Sequence, residues 1–167
     1  ADYDATGIPR YGVLRMDVDN LGSVLRSGLE AHQARDLAHI SALSTAISLF
    51  FDGLLDQLCA EAAESWACWL AKQTNQPKKT NAIDAIRPYV IYAGGDDLFI
   101  VAYWDVLPVL ARHIRDQWHR YTLGRLTVSA GMALAAAKFP LYRLAELSKA
   151  QLEQSKDRVA FIHGNEI

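Results

Sequence analysis

Apolar positions along the chain change their period in a definite order, and that order predicts the elements. Tyr11 to Asp17 (YGVLRMD) is β-rich and bounded by Gly22 and Ser23, so it reads as a buried strand whose C-terminal end carries Asp17 and Asp19. From about Ala34 to Ala63 the residues Leu37, Ile40, Ile47, Phe51, Leu54 and Leu58 recur at three- and four-residue steps, the spacing of one helix face. Gln73 to Arg87 is polar, contains Pro77 and two lysines, and predicts a surface loop. Tyr89 to Tyr92 and Leu98 to Tyr103 are short β-prone runs flanking Ala93-Gly94-Gly95-Asp96-Asp97, which predicts a tight hairpin. A second amphipathic helix is marked by Leu107, Leu110, Ala111, Ile114, Trp118 and Tyr121. A further strand spans Leu126 to Leu134, and a last helix runs from about Leu141 to Lys156.

The first six elements spell the ferredoxin-like βαββαβ arrangement, so the expected fold is α+β with an additional C-terminal helix. The 167 residues suit one domain, taken as residues 11–167. Ala1 to Arg10 has a linker-like composition, and the abrupt ends suggest a piece excised from a larger protein. A formal net charge of −2 argues against a protein that coats nucleic acid, so any nucleotide chemistry needs a local site. Cys59 and Cys68 lack CxxC or histidine companions, which disfavours a zinc site or a disulfide framework. No apolar run reaches the roughly 18 to 20 residues that span a bilayer, so the expectation is a cytoplasmic protein with no membrane partner.

The chemistry concentrates in two acidic clusters, Asp17/Asp19 and Asp96/Asp97. Taken singly, the first is an ordinary helix-capping sequence and the second an ordinary hairpin turn. In the predicted fold, however, the first strand adjoins the hairpin, so Asp17 and Asp96 meet at one sheet edge. Carboxylates so gathered repel one another unless a cation neutralises them, and oxygen ligands alone suit Mg²⁺ or Mn²⁺. Such an ion bridges triphosphate oxygens and lowers the pKa of an attacking hydroxyl. The serines Ser41, Ser44 and Ser48 either line a base pocket or act as small helix-packing residues. Arg143, Lys149 and Arg158 on the last helix read mainly as a solvated face.

Arg15-Met16-Asp17-Val18-Asp19-Asn20-Leu21-Gly22, followed by Tyr92-Ala93-Gly94-Gly95-Asp96-Asp97-Leu98-Phe99-Ile100-Val101, resembles the GGDD palm of the large subunit of type III CRISPR effector complexes, Csm-type in particular. Leu126 to Ala136, Phe139 to Leu147 and Ser148 to Lys156 look like the rest of that palm. The resemblance implies a nucleotidyl cyclase core, related to the GGDEF cyclases, that converts ATP into cyclic oligoadenylates with Mg²⁺ or Mn²⁺ when the complex binds target RNA. It implies metal binding by Asp17, Asp96, Asp97 and the Val18 carbonyl, with the three carboxylates as catalytic residues. Asn20, Leu21 and Gly22 match the phosphate-holding turn, Gly94 and Gly95 the glycines of the motif, and Lys156 a lysine that reaches the same phosphates. The implied partners are a second palm domain, from the same parent chain or a homodimer, together with the other CRISPR subunits, guide RNA and target RNA.

Two departures stand out. The loop from Ala62 to Pro88 is longer than in a compact GGDEF domain, and Asp97 stands where diguanylate cyclases carry Glu before Phe, which disfavours guanine. The absence of a His-Asp dipeptide removes the nuclease module from this chain. The alternatives are a nucleotide-binding scaffold palm without turnover, or a stand-alone dimeric cyclic-dinucleotide synthase.

Overall fold

The computed structural model describes residues 10–28, 37–75, 83 and 86–164. The linker-like segment expected at 1–10 therefore lies outside the described residues except for Arg10, which opens the first strand. Strand β1 is Arg10–Val18, and a short helical turn α1 at Leu21–Ser23 runs into a π-helical turn at Val24–Gly28. Helix α2 is Leu37–Thr74, followed by strands β2 at Tyr89–Gly94 and β3 at Asp97–Tyr103. Helix α3 is Leu107–Tyr121, strand β4 is Val128–Ala136, and helix α4 is Leu141–Gly164. The strands form one antiparallel sheet in the order β2-β3-β1-β4, the order of the expected βαββαβ fold with its additional helix.

The near-continuous apolar run of β1 is explained by coverage on both faces of the sheet, since a strand buried on two sides loses the alternation of a half-exposed one. On one face Leu14, Met16 and Val18 join Leu98 and Ile100 in a core with α2 and α3. On the other, Val13 packs with Ala133, Ala135 and Leu144, beneath α4. Helix α2 enters the core through Ile47, Phe50, Phe51, Leu55, Leu58, Cys59, Ala62 and Ala63, steps that keep one helical face inward. Phe50 and Phe51 meet Trp118 of α3 at ring-centroid distances of 5.0 and 5.4 Å, an aromatic junction between the two helices.

Several expectations change here. The buried face of α2 keeps Ile47, Phe51 and Leu58 as expected, but Leu37 is 80% and Leu54 36% exposed, Ile40 is also exposed, and Leu55 takes an inward position. Small residues carry the face onward, so the helix does not give way to a loop after Ala62 but continues to Thr74. The supposedly polar stretch before β2 also holds Ile86, which is fully buried, whereas residues 76–82 lie outside the described set. Strand β4 is displaced two residues from the predicted Leu126 to Leu134. Ser41 and Ser44 are exposed and Ser48 is half-buried. By length and composition α2 could also cross a membrane, with a window of mean hydropathy 1.4, so the expectation that no segment qualifies was too strict. Its eight inward residues account for part of that apolarity.

Gly131 sets the position of α4. A Cβ there would lie 2.2 Å from the Ser148 carbonyl oxygen and 2.4 Å from the Leu152 backbone nitrogen, so helix and strand touch backbone to backbone. Ser148 is fully buried at this contact, and its hydroxyl donates to the Ala145 carbonyl at 2.9 Å. Gly131→Ala should lower stability to urea by about 1–3 kcal/mol, because neither backbone segment can yield as a flexible side chain would. Gly53→Ala, where a Cβ meets nothing within 4 Å, should raise stability by about 0.5–1 kcal/mol through helix propensity. Equal effects of the two substitutions would contradict this packing.

Candidate active site

The register of β1 and β3 brings the acidic residues together. Asp17 is the cross-strand partner of Asp97, and the Val18 N–H donates to the Asp96 carbonyl at 3.1 Å. Gly95 and Asp96 form the two-residue turn between β2 and β3, with Gly95 at φ 62°, the left-handed region that a glycine enters without strain. Asp97 is thus the first residue of β3, not part of the turn. Directly opposed like charges destabilise an antiparallel pair, so the Asp17–Asp97 pairing needs a counter-charge.

Two side chains supply it. The Lys156 ammonium donates to Asp17 Oδ2 at 2.5 Å, brought there by α4, one turn beyond Leu152 and its contact with Gly131. The Arg15 guanidinium donates to Asp97 Oδ2 at 3.3 Å and lies 5.7 Å from the centroid of the Phe99 ring. Burial is the largest influence on Asp17 and raises its pKa above the ordinary carboxylate value; Lys156 pulls it down, and Asp96 and Asp97 push it up again. Among the described residues Asp96 has no ion-pair partner.

Asp19 makes none of these ion pairs, although its Oδ1, like that of Asp97, is buried with no hydrogen-bond partner. It is only 7% exposed, accepts from the Thr127 hydroxyl at 2.7 Å, and its N–H donates to the Thr127 carbonyl at 3.0 Å. It therefore ties the end of β1 to the start of β4. Asn20 adopts φ 54°, a conformation asparagine tolerates, and its carbonyl accepts from Ser23 at 2.9 Å and Val24 at 3.0 Å. The amides of Leu21 and Gly22 open this turn and have no intrahelical acceptor, the usual state of first-turn donors. Arg15 and Thr127 were not singled out from the sequence. Strand alternation was the available signal for Arg15, since it lies two residues from Asp17 on the same face.

The donor set suits a hard divalent cation held jointly with a nucleotide. Among the described residues no three His, Cys, Asp or Glu side chains are grouped so that they could hold a metal ion, so Asp17, Asp96 and Asp97 do not by themselves form a cation site. Asp17, Asp96, Asp97 and the Val18 carbonyl offer oxygen only, and Mg²⁺ is commonly held by one or two carboxylates plus substrate phosphates. Asp97 Oδ1 is buried with no hydrogen-bond partner, an acceptor that a cation would satisfy.

A four-stranded antiparallel sheet with carboxylates at the end of its central strand and the neighbouring hairpin defines a palm. The chain belongs to the Cas10/Cmr2 family as its second palm domain, whose family model matches residues 10–160. It is 34% identical over 139 residues to a CRISPR system single-strand-specific deoxyribonuclease Cas10/Csm1 (subtype III-A) of Enterococcus italicus, covering 83% of this chain and 15% of that protein. The counterpart from Methanocaldococcus jannaschii is 31% identical over 161 residues, covering 95% of this chain and 18% of the relative. The chain thus spans less than a fifth of these relatives. Among solved structures, Csm1 of T. onnurineus superposes with a TM-score of 0.70 at 28% identity, over 93% of this chain and 20% of that one. A Csm1–Csm4 cassette in complex with cA4 gives 0.66 at 26% identity, with the same coverage.

The raised Asp17 pKa has a definite sign. A carboxyl that holds its proton more tightly when folded adds stability that is present below the unfolded pKa and lost as pH rises through the folded one. In chelator, Asp17→Asn should therefore gain stability relative to the parent chain between pH 4 and pH 7, read by urea denaturation at each pH. A constant difference across that range would contradict the assignment.

Proposed function

We propose that this palm binds ATP with Mg²⁺ or Mn²⁺ and joins ATP units into cyclic oligoadenylates within a type III CRISPR effector complex. The observation that carries the proposal is the register pairing of Asp17 with Asp97 beside the Gly95–Asp96 turn, with Lys156 on Asp17. Support comes also from the related Csm1–Csm4 cassettes, solved with AMPPNP, one ATP, pppApApA, cA3 and cA4.

In this reading a 3′-hydroxyl attacks an α-phosphate. The new phosphorus–oxygen bond forms as the bond to the departing pyrophosphate breaks. The bound cation neutralises phosphate charge and acidifies the hydroxyl. Asp17, Asp96, Asp97 and the Val18 carbonyl hold it, and the amides of Leu21 and Gly22 orient the triphosphate as helix-start donors do. Asn20, Gly94 and Gly95 keep the backbone close to the nucleotide. With a cation held by Asp17, the Lys156 ammonium would be free to donate to the phosphates. The relatives named as deoxyribonucleases extend far beyond this chain, and their nuclease activity is not assigned to it.

The test is incubation of the full effector complex with labelled ATP or GTP and Mn²⁺, with products separated by chromatography. Replacing Asp96 and Asp97 by Ala should lower product formation by about 1,000-fold, the scale of losing electrostatic stabilisation of the transition state. ATP should be used in preference to GTP. Turnover by the double variant at the parent rate would leave a scaffold palm.

One palm offers one nucleotide site, and bond formation needs a second nucleotide presented in line at about 3 Å. The isolated chain should accordingly be a weak catalyst. Any residual rate should rise with the square of protein concentration if two copies appose. A rate first order in a chain shown by sizing to be monomeric would contradict the need for a second palm.

A further inference from the structure

The two oxygens of Asp97 have different surroundings. Oδ2 accepts from Arg15, whereas Oδ1 is buried and partnerless. Arg15 is itself constrained: it is the register partner of Phe99 in β3, its guanidinium lies over that ring, and on its other side it is the register partner of Gly131, where α4 closes on the sheet. The guanidinium thus lies between an aromatic ring and a carboxylate on a side chain that is 27% exposed, and its planar fork is a more directional donor than a lysine ammonium.

From this we infer that Arg15 is a positioning residue: by holding Asp97 Oδ2 it turns Oδ1 toward the cation shared with Asp17 and Asp96. The inference rests on the metal-site reading above and deepens it by giving the two hairpin carboxylates different duties. Asp96, at the turn, is a ligand without an ion-pair partner among the described residues. Asp97 is oriented from behind, as ligating carboxylates generally are by hydrogen bonds from residues that do not touch the metal.

The sign of the effect separates this role from a purely electrostatic one. Arg15 carries positive charge next to a cation site, so if charge alone mattered its removal would strengthen cation binding. If it positions Asp97, removal weakens binding despite the relieved repulsion, and loss of such a partner commonly lowers metal affinity about 10–100-fold.

The experiment is titration of the chain with Mn²⁺ alone, free and bound ion being distinguished by electron paramagnetic resonance, with circular dichroism melts on every variant. Asp17→Asn and Asp96→Asn should abolish the binding. Arg15→Met should weaken it about 10–100-fold. Arg15→Lys should recover part of the loss, because it retains a charged donor. Phe99→Leu, which removes the ring beneath the guanidinium while keeping the core apolar, should weaken binding about 2–5-fold and keeps the question open to test should Arg15→Met fail to fold. Unchanged or tighter Mn²⁺ binding by folded Arg15→Met, or unchanged binding by Phe99→Leu in its absence, would overturn the role of Arg15 alone. Unchanged binding by Asp17→Asn and Asp96→Asn would overturn the metal site, and the inference with it.

Discussion

The absence of a side chain at Gly131 is the constraint on which the site depends. Strand β4 and helix α4 meet there at a distance that no Cβ permits, with the helix backbone at Ser148 and Leu152 filling the space. A helix has a rigid rise and rotation, so fixing it at one contact fixes the residues a turn away. Lys156, four residues after Leu152, is thereby delivered onto Asp17, which sits on the strand neighbouring β4. Were α4 to stand off by even the breadth of a methyl group, the ammonium would retreat from a carboxylate already held above its ordinary pKa by burial and by two acidic neighbours. The extra helix thus completes the electrostatics of the site as well as covering the second sheet face.

The same sheet face explains why the acidic cluster can exist without collapsing the fold. Asp17 and Asp97 face each other across a strand pair, an arrangement that repulsion would loosen, yet each has its own cation on its own side. The cations reach the pair from different directions: Arg15 comes from within the sheet and Lys156 from the helix above it. Both pairs are partly exposed, so solvent screens them and neither adds much to stability. Their consequence is geometric, because they decide which oxygen of each carboxylate remains available.

The sheet was legible in the sequence because its signals are local. Tyr11 to Asp17 was β-rich enough to read as a buried strand, and two glycines between β-prone runs gave the hairpin, though its register, which pairs Asp17 with Asp97, was not readable from them. The long helix was less legible for a physical reason. Its face passes from Phe50, Phe51, Leu55 and Leu58 to Cys59, Ala62 and Ala63, and small residues look the same to a hydrophobic pattern whether buried or not. Leu54 was chosen over Leu55 because both fit a three- or four-residue step; only the rings of Phe50 and Trp118 decide which way the helix turns. Asp17 and Asp96 followed from the predicted adjacency of the first strand and the hairpin, whereas Lys156 was reached only through motif resemblance, since nothing in spacing links residue 17 with residue 156. Asp19 misled because it lies one residue past the end of β1, where the chain turns and Thr127 takes one of its carboxylate oxygens. A glycine inside a strand was the one available sign of close helix approach at Gly131, and it had not been used.

Charge balance narrows what such a site accepts. Three carboxylates face two cations, which leaves a single negative charge in excess at the end of the central strands. A triphosphate arriving without metal brings further negative charge, and drawing Lys156 away for its phosphates would strip Asp17 of its partner in a buried setting where an unpaired charge is costly. Under the proposed reading, a divalent cation arriving alone would meet an Asp17 whose Oδ2 is already held by Lys156. Metal and triphosphate together would ease both difficulties if the cation took over Asp17 and the ammonium reached the phosphates. On the proposed reading the two ligands would be coupled: each would make the other's binding more favourable, and by linkage the effect would be the same in both directions. That reciprocity would follow from one side chain, Lys156, that is able to pair with either Asp17 or a phosphate.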